Sequence, residues 1–124
     1  MRVFLAGATG AIGRPLLARL IAAGHDVTGL TRSEERAATL RAAGARAAVA
    51  DVYDEEALTA AVGAAEPEVV VNQLTDIPQD LDPRRFREQM AGLERIRSQG
   101  YPNLVRAAQK AGAGRAPAGC RSAR

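Results

Sequence analysis

Three evenly spaced glycines near the start of the chain are the best candidates for binding a ligand. Gly7, Gly10 and Gly13 follow an apolar run at residues 3–6, and an apolar helical stripe begins directly after them. Glycine lets the backbone turn sharply and approach a ligand closely, and a helix N-terminus presents free N–H groups to an anion. The stretch therefore predicts a buried strand, a tight turn and a helix whose N-terminus receives a phosphate. The alternative is an ordinary strand-to-helix turn with incidental glycines.

The motif G-A-T-G-A-I-G at residues 7–13 resembles the N-terminal motif of the short-chain dehydrogenase/reductase superfamily. The resemblance is to its extended and atypical branches, the NAD-dependent epimerase/dehydratase type, and it extends over about residues 1–111. It implies a Rossmann-like fold and a dinucleotide cofactor whose pyrophosphate lies against the turn. The cofactor-binding positions that it implies there are Gly7, Thr9, Gly10, Ala11, Ile12 and Gly13.

Arg32 follows the predicted second strand, at the point where dinucleotide folds contact the adenosine ribose. An acidic residue there favours NAD, but the end of the strand reads Thr31-Arg32-Ser33, with no acid until Glu34. An arginine can instead pair with a 2′-phosphate. We therefore predict that Arg32 makes the chain prefer NADP to NAD. The alternative is a solvated arginine before a helix.

Two further pairs of cofactor-binding residues are implied by the resemblance alone. Asp51 and Val52 follow the predicted third strand and match the family's pair of an aspartate and an aliphatic residue beside adenine. In that pair the carboxylate binds the exocyclic amine and the aliphatic side chain covers the ring. Leu74 and Thr75 follow the fourth strand, where the resemblance places them near the central riboses. For Asp51, a simple turn residue is the alternative.

Alternating strands and helices organise the chain around these residues. This alternation predicts an α/β fold with a doubly wound parallel sheet. The resemblance implies that the sheet is Rossmann-like, with about four strands in the order 3-2-1-4. The sheet is incomplete, because the family continues with a fifth strand. The predicted strands cover residues 3–6, 25–31, 46–50 and 68–74.

A long helix is predicted from Pro83 onward. Residues 100–102, Gly-Tyr-Pro, predict an interruption in it, because proline removes a helical hydrogen bond. Asn103 and Leu104 match the second half of a family pattern, Asn-x-x-Gly-Thr-x-Asn-Leu. Arg97 stands where the first asparagine of that pattern, often tied to the active-site water network, is expected.

The last residues predict that the resemblance ends before the catalytic part. Residues 112–124 lack apolar periodicity and are rich in Gly, Ala, Pro and Arg, which predicts a disordered tail after a domain of residues 1–111. The family's proton-transfer pair is Tyr-x-x-x-Lys, and neither Tyr53 nor Tyr101 has a lysine four positions later. We therefore predict a truncated or frame-shifted cofactor domain with no catalytic residue, inactive alone, whose open sheet edge favours self-association.

Composition and charge exclude other classes of protein. Arginine or glutamate interrupts every apolar stretch, so no membrane span is predicted. The single cysteine, Cys120, allows no internal disulfide, which favours a cytoplasmic protein. The net charge of +3 comes from Arg115, Arg121 and Arg124, without which basic and acidic residues are equal at 14 each. This balance argues against nucleic-acid binding.

Other candidate groups have structural explanations. His25 is the only histidine and follows a helix end, where a surface or capping role is expected. Asp80 and Asp82 stand in a loop without further ligands, so we predict no metal site. Two functions besides an oxidoreductase domain remain open, namely a non-catalytic nucleotide-sensing or interaction module and a gene remnant that folds poorly.

Overall fold

The fold is built on a sheet of four parallel strands. A computed structural model describes residues 1–8, 13–74 and 83–112. The sheet has the order β3-β2-β1-β4, and Leu5 at its centre lies opposite Gly29 on one side and Val71 on the other. The order and the parallel pairing confirm the predicted doubly wound Rossmann-like sheet. The strands are β1 (Arg2–Ala6), β2 (Asp26–Thr31), β3 (Arg46–Val49) and β4 (Val69–Asn72).

Helices cover both faces of the sheet. Because side chains alternate along a strand, Leu5 and Phe4 of β1 belong to separate apolar clusters. The cluster around Leu5 contains Leu17 and Leu40, from the first two helices, and the cluster around Phe4 contains Leu58 from the third. The helices are α1 (Gly13–Ala22), α2 (Glu34–Ala42), α3 (Glu55–Ala65), α4 (Phe86–Arg95) and α5 (Tyr101–Lys110).

Local signals in the sequence set most helix ends. Ser33 accepts a hydrogen bond from the N–H three residues later at 3.3 Å, and Asp54 does the same at 3.2 Å, so both predicted N-caps are confirmed. Gly24 and Gly44 end α1 and α2 with φ of +88° and +95°, a conformation that glycine adopts without strain. β4 is shorter than predicted because the side chain of Asn72 binds the N–H of Leu74 at 3.1 Å and turns the chain.

The α-helix is interrupted near the predicted place, but the interruption covers Ile96–Gly100 and the helical backbone continues through it as a π turn. A 3₁₀ turn at Pro83–Arg85 leads into α4, and a π-helical turn at Ile96–Gly100 joins α4 to α5. There the N–H of Tyr101 donates to the carbonyl of Ile96, five residues earlier. The wider turn accommodates Pro102, whose ring would press on a carbonyl in a regular α-helix.

The continuous helical rod formed by α4, the π turn and α5 carries apolar side chains that differ in their exposure. Ile96 is 6% exposed and Leu104 is 1% exposed, whereas Phe86 and Met90 of α4 are 57% and 40% exposed. The rod therefore reaches the core through its later half. None of the helices within the described ranges is long and apolar enough to cross a bilayer, and those ranges hold no cluster of metal-ligating side chains.

Candidate functional site

The first and third glycines of the motif bring three segments of backbone into direct contact. Gly7 follows β1 with a φ of +83°, and a Cβ added there would lie 2.2 Å from the carbonyl oxygen of Gln73. A Cβ added to Gly13 would lie 1.9 Å from the carbonyl oxygen of Gly7. The N-terminus of α1 is therefore held against the end of β1, with no space for a side chain between them.

The same contact joins the ends of β1 and β4. The N–H of Gln73 donates to the carbonyl of Ala6 at 2.9 Å, which keeps the chain after β4 beside the glycine turn. In a dinucleotide-binding turn the first glycine allows the tight turn, and the last glycine allows the helix to pack closely against the strand. The positive φ of Gly7 and the close approach of Gly13 to Gly7 fit these two requirements. The predicted ligands Thr9, Gly10, Ala11 and Ile12 lie outside the described residues.

Arg32 lies at the carboxyl end of β2, one residue before the cap of α2. Thr31 before it is 5% exposed, and its hydroxyl accepts the N–H of Ser33 at 3.3 Å. Arg32 itself is exposed, and within the described ranges no carboxylate lies within ion-pair distance of it. Glu34 lies 3.9 Å from Arg41. The guanidinium of Arg32 is therefore available to an anion at this corner of the sheet.

Asp51 and Val52 form a turn between β3 and α3. One carboxylate oxygen of Asp51 accepts the N–H of Tyr53 at 2.9 Å, and the side chain as a whole is exposed. Asp51 therefore does serve as a turn residue, the alternative that the sequence left open. Val52 is 5% exposed and packs in the core with Ile96. Their roles beside adenine stay predictions.

Leu74 lies directly after the turn that follows β4. It is half-buried against the core cluster around Phe4, and its carbonyl accepts the hydroxyl of Tyr101 at 2.7 Å. Thr75, its predicted partner at the central riboses, lies outside the described residues. Leu74 thus reaches the same edge of the sheet as Gly7, since Gln73 beside it contacts that glycine.

The structure adds two residues that sequence reasoning did not assign to the site. Tyr101 binds the carbonyl of Leu74, and the side-chain amide of Asn103 donates to the carbonyl of Val52 at 3.0 Å. Asn103 carried a signal in the sequence, because it matches the family pattern, but no role was attached to it. Tyr101 carried none, since its hydrogen bond joins positions 27 residues apart.

The glycine-lined carboxyl edge of a parallel sheet defines a dinucleotide-binding domain of the Rossmann type. A family model described as NAD(P)H-binding matches residues 7–116. The chain therefore belongs to the NAD(P)H-binding family.

Known relatives are longer than this chain. It is 47% identical over 117 residues to a 3-diazoavenalumate denitrifying reductase of a Streptomyces species, a match that covers 93% of this chain and 36% of the reductase. It is 31% identical over 112 residues to the photosystem II assembly factor Ycf39 of Synechocystis, covering 90% of this chain and 31% of that protein. The Bordetella bronchiseptica enzyme WbmG, solved with NAD and UDP, superposes with a TM-score of 0.70 at 25% identity over 91% of this chain and 35% of that chain. The chain thus spans about a third of the length of these relatives.

Proposed function

We propose that the chain binds NADP in preference to NAD and acts as the cofactor-binding part of a reductase- or epimerase-type oxidoreductase. The observation that carries this proposal is the close backbone contact between Gly7 and Gly13, which brings the N-terminus of α1 to the carboxyl end of β1. Free N–H groups at such a helix N-terminus can receive a pyrophosphate. The 47% identical relative, which is named a reductase, supports the same class of chemistry.

The preference for NADP rests on Arg32. This side chain is exposed at the end of β2, and the nearest acid in sequence, Glu34, lies near Arg41 instead. A 2′-phosphate bound there would gain charge-assisted hydrogen bonds from the guanidinium. The N-terminus of α2, capped by Ser33, adds the positive end of its helix dipole to the same corner.

In this proposal the bound nicotinamide exchanges a hydride with a carbon that bears oxygen. The residues of this chain bind and orient the cofactor: Gly7 and Gly13 at the pyrophosphate, Arg32 at the 2′-phosphate, Asp51 at adenine. Neither tyrosine is followed by the lysine of the family's proton-transfer pair. We therefore expect the chain alone to bind the cofactor without turning over a substrate.

The experiment that tests this function is a parallel titration of the purified chain with NADPH and NADH, followed by nucleotide fluorescence. The wild type should bind NADPH more tightly, and Arg32→Ala should lower the affinity for NADPH by about tenfold while leaving the affinity for NADH nearly unchanged, since only the phosphate contact is lost.

A matched control is Arg19→Ala, which removes the same charge from the last turn of α1. This variant should keep the preference for NADPH. A folded wild type that binds neither nucleotide would refute the proposed function, and an unchanged preference in Arg32→Ala would refute the role given to Arg32.

A non-catalytic module that responds to nucleotide is the second candidate. Two observations favour it: one relative is named an assembly factor, and α4 exposes Phe86 and Met90, at 57% and 40%. Capture of a protein partner that depends on the cofactor would favour the module. Hydride transfer to a carbonyl substrate would favour the oxidoreductase.

Self-association is a further expectation that follows from the outer edge of β4. This strand pairs only with β1 among the described strands, and its four residues are Val-Val-Val-Asn. An unpaired apolar edge offers N–H and carbonyl groups to another strand. We expect sedimentation to show dimers or larger species that grow with concentration. A monomer at all concentrations would contradict this expectation.

A further inference from the structure

The first turn of α5 is hydrogen-bonded to two of the loops that carry predicted cofactor-binding residues. Tyr101 donates its hydroxyl hydrogen to the carbonyl of Leu74 at 2.7 Å, at the end of the chain segment that follows β4. Asn103 donates from its side-chain nitrogen to the carbonyl of Val52 at 3.0 Å, in the turn that follows β3. One helical turn therefore holds two separate parts of the carboxyl edge of the sheet.

This turn of α5 is packed against the core. Asn103 is 8% exposed, and the neighbouring Leu104 is 1% exposed. The π-helical turn before it also contributes, because Gly100 and Ile96 are buried beside Val52. The two donors thus have fixed positions relative to the sheet.

Arg106 sets the orientation of the Asn103 side chain. Its guanidinium donates to the amide oxygen of Asn103 and, at 2.7 Å, to the carboxylate of Glu55. Since the amide oxygen is engaged by a cation, the amide nitrogen must face the carbonyl of Val52. Every polar atom of this buried side chain then has a partner, as burial requires.

We propose that Tyr101 and Asn103 are positioning residues that hold the two halves of the dinucleotide site independently. Asn103 acts on the adenosine half through the turn of Asp51 and Val52, and Tyr101 acts on the half nearer the nicotinamide through Leu74. The inference rests on the proposed function, because it assumes that these loops contact the cofactor.

The test compares two probes that differ in how much of the site they fill. Adenosine 2′,5′-bisphosphate occupies the adenosine half, and NADPH occupies both halves. Asn103→Asp removes the donor to Val52 at nearly constant shape, and it should weaken both probes by about tenfold. Tyr101→Phe keeps the ring and removes the hydroxyl, and it should weaken NADPH by about fivefold while leaving the bisphosphate within about twofold.

The split between the two probes separates positioning from general destabilisation, which would lower the affinity for both probes in both variants. Gln99→Glu is the matched control for the change from amide to carboxylate, because this exposed residue lies on the same helical rod. It should bind both probes as the wild type does. If Asn103→Asp does not fold, Asn103→Ser replaces it in the test, and this variant should also weaken the binding of both probes by about tenfold.

Two results would overturn the inference and are distinguishable from a failure of the proposed function. Variants that fold and bind both probes as the wild type does show that the hydrogen bonds position nothing. A Tyr101→Phe variant that loses affinity for the bisphosphate and for NADPH in equal proportion shows that α5 supports only the fold. If the wild type binds neither probe, the proposed function itself fails and the inference fails with it.

Discussion

Gly13→Ala should abolish measurable nucleotide binding and lower the free energy of unfolding by about 3 kcal/mol. The added methyl group would lie 1.9 Å from the carbonyl oxygen of Gly7 and 2.8 Å from its carbonyl carbon. Both atoms belong to the backbone, so no side-chain rotation relieves the overlap. The start of α1 must move away from the end of β1, which disrupts the turn that we propose binds the pyrophosphate. Urea unfolding and NADPH titration of the same preparation measure both effects.

Gly63→Ala is the control for this prediction, because it makes the same change in open space. Gly63 lies within α3, and an added Cβ meets nothing within 4 Å. Alanine is favoured over glycine inside a helix, so this variant should be more stable by about 0.5 to 1 kcal/mol and should bind nucleotide as before. Equal effects of the two substitutions would mean that the contact at Gly13 does not shape the site.

Phe4→Ala should lower the free energy of unfolding by about 3 to 5 kcal/mol. Phe4 lies in the middle of β1, is fully buried, and packs in one core cluster with Leu58 of α3 and Leu104 of α5. Alanine would leave a cavity between the sheet and both helices, and strands paired on each side of β1 limit how far the site can collapse. The measurement is the urea midpoint with the slope of the transition.

The chain's other phenylalanine provides the matched comparison. Phe86 lies at the start of α4 and is 57% exposed. Phe86→Ala should change the free energy of unfolding by less than about 0.5 kcal/mol, because surface substitutions away from special features have small effects. A large loss from Phe86→Ala would show that this side chain is covered in solution.

The sheet was predictable because its signals are local and its connections follow a rule. Apolar runs mark the strands, and Ser33 and Asp54 mark the starts of α2 and α3 by their ability to bind the first free N–H groups. Right-handed connections between parallel strands then leave few possible orders, and 3-2-1-4 is one of them. Strand ends were less predictable, as at Asn72, whose side chain ends β4 earlier than its apolar run suggested.

The close backbone contacts at the candidate site were predictable from the spacing of the glycines. Gly7 and Gly13 are needed because backbone meets backbone there, and their positions show in the sequence. The supports of the site were not predictable, since the hydrogen bond from Asn103 to Val52 joins residues 51 positions apart and depends on how α5 packs. The π-helical turn was also missed, because proline usually breaks a helix and only the packed structure shows the wider turn that retains Pro102.

The π-helical turn changes the direction of the side chains of α5 relative to those of α4. Each residue of an α-helix advances the direction of its side chain by about 100°, and a π turn holds one residue more than the α turn it replaces. Everything after Gly100 is therefore rotated in phase relative to α4 by about one residue's step. This rotation lets Leu104 face the core, while the stripe of Phe86 and Met90 keeps its own direction. The number of residues in this one turn thus fixes the rotation of α5 about its axis. Removing one residue from the turn would rotate Tyr101 and Asn103 away from both loops together.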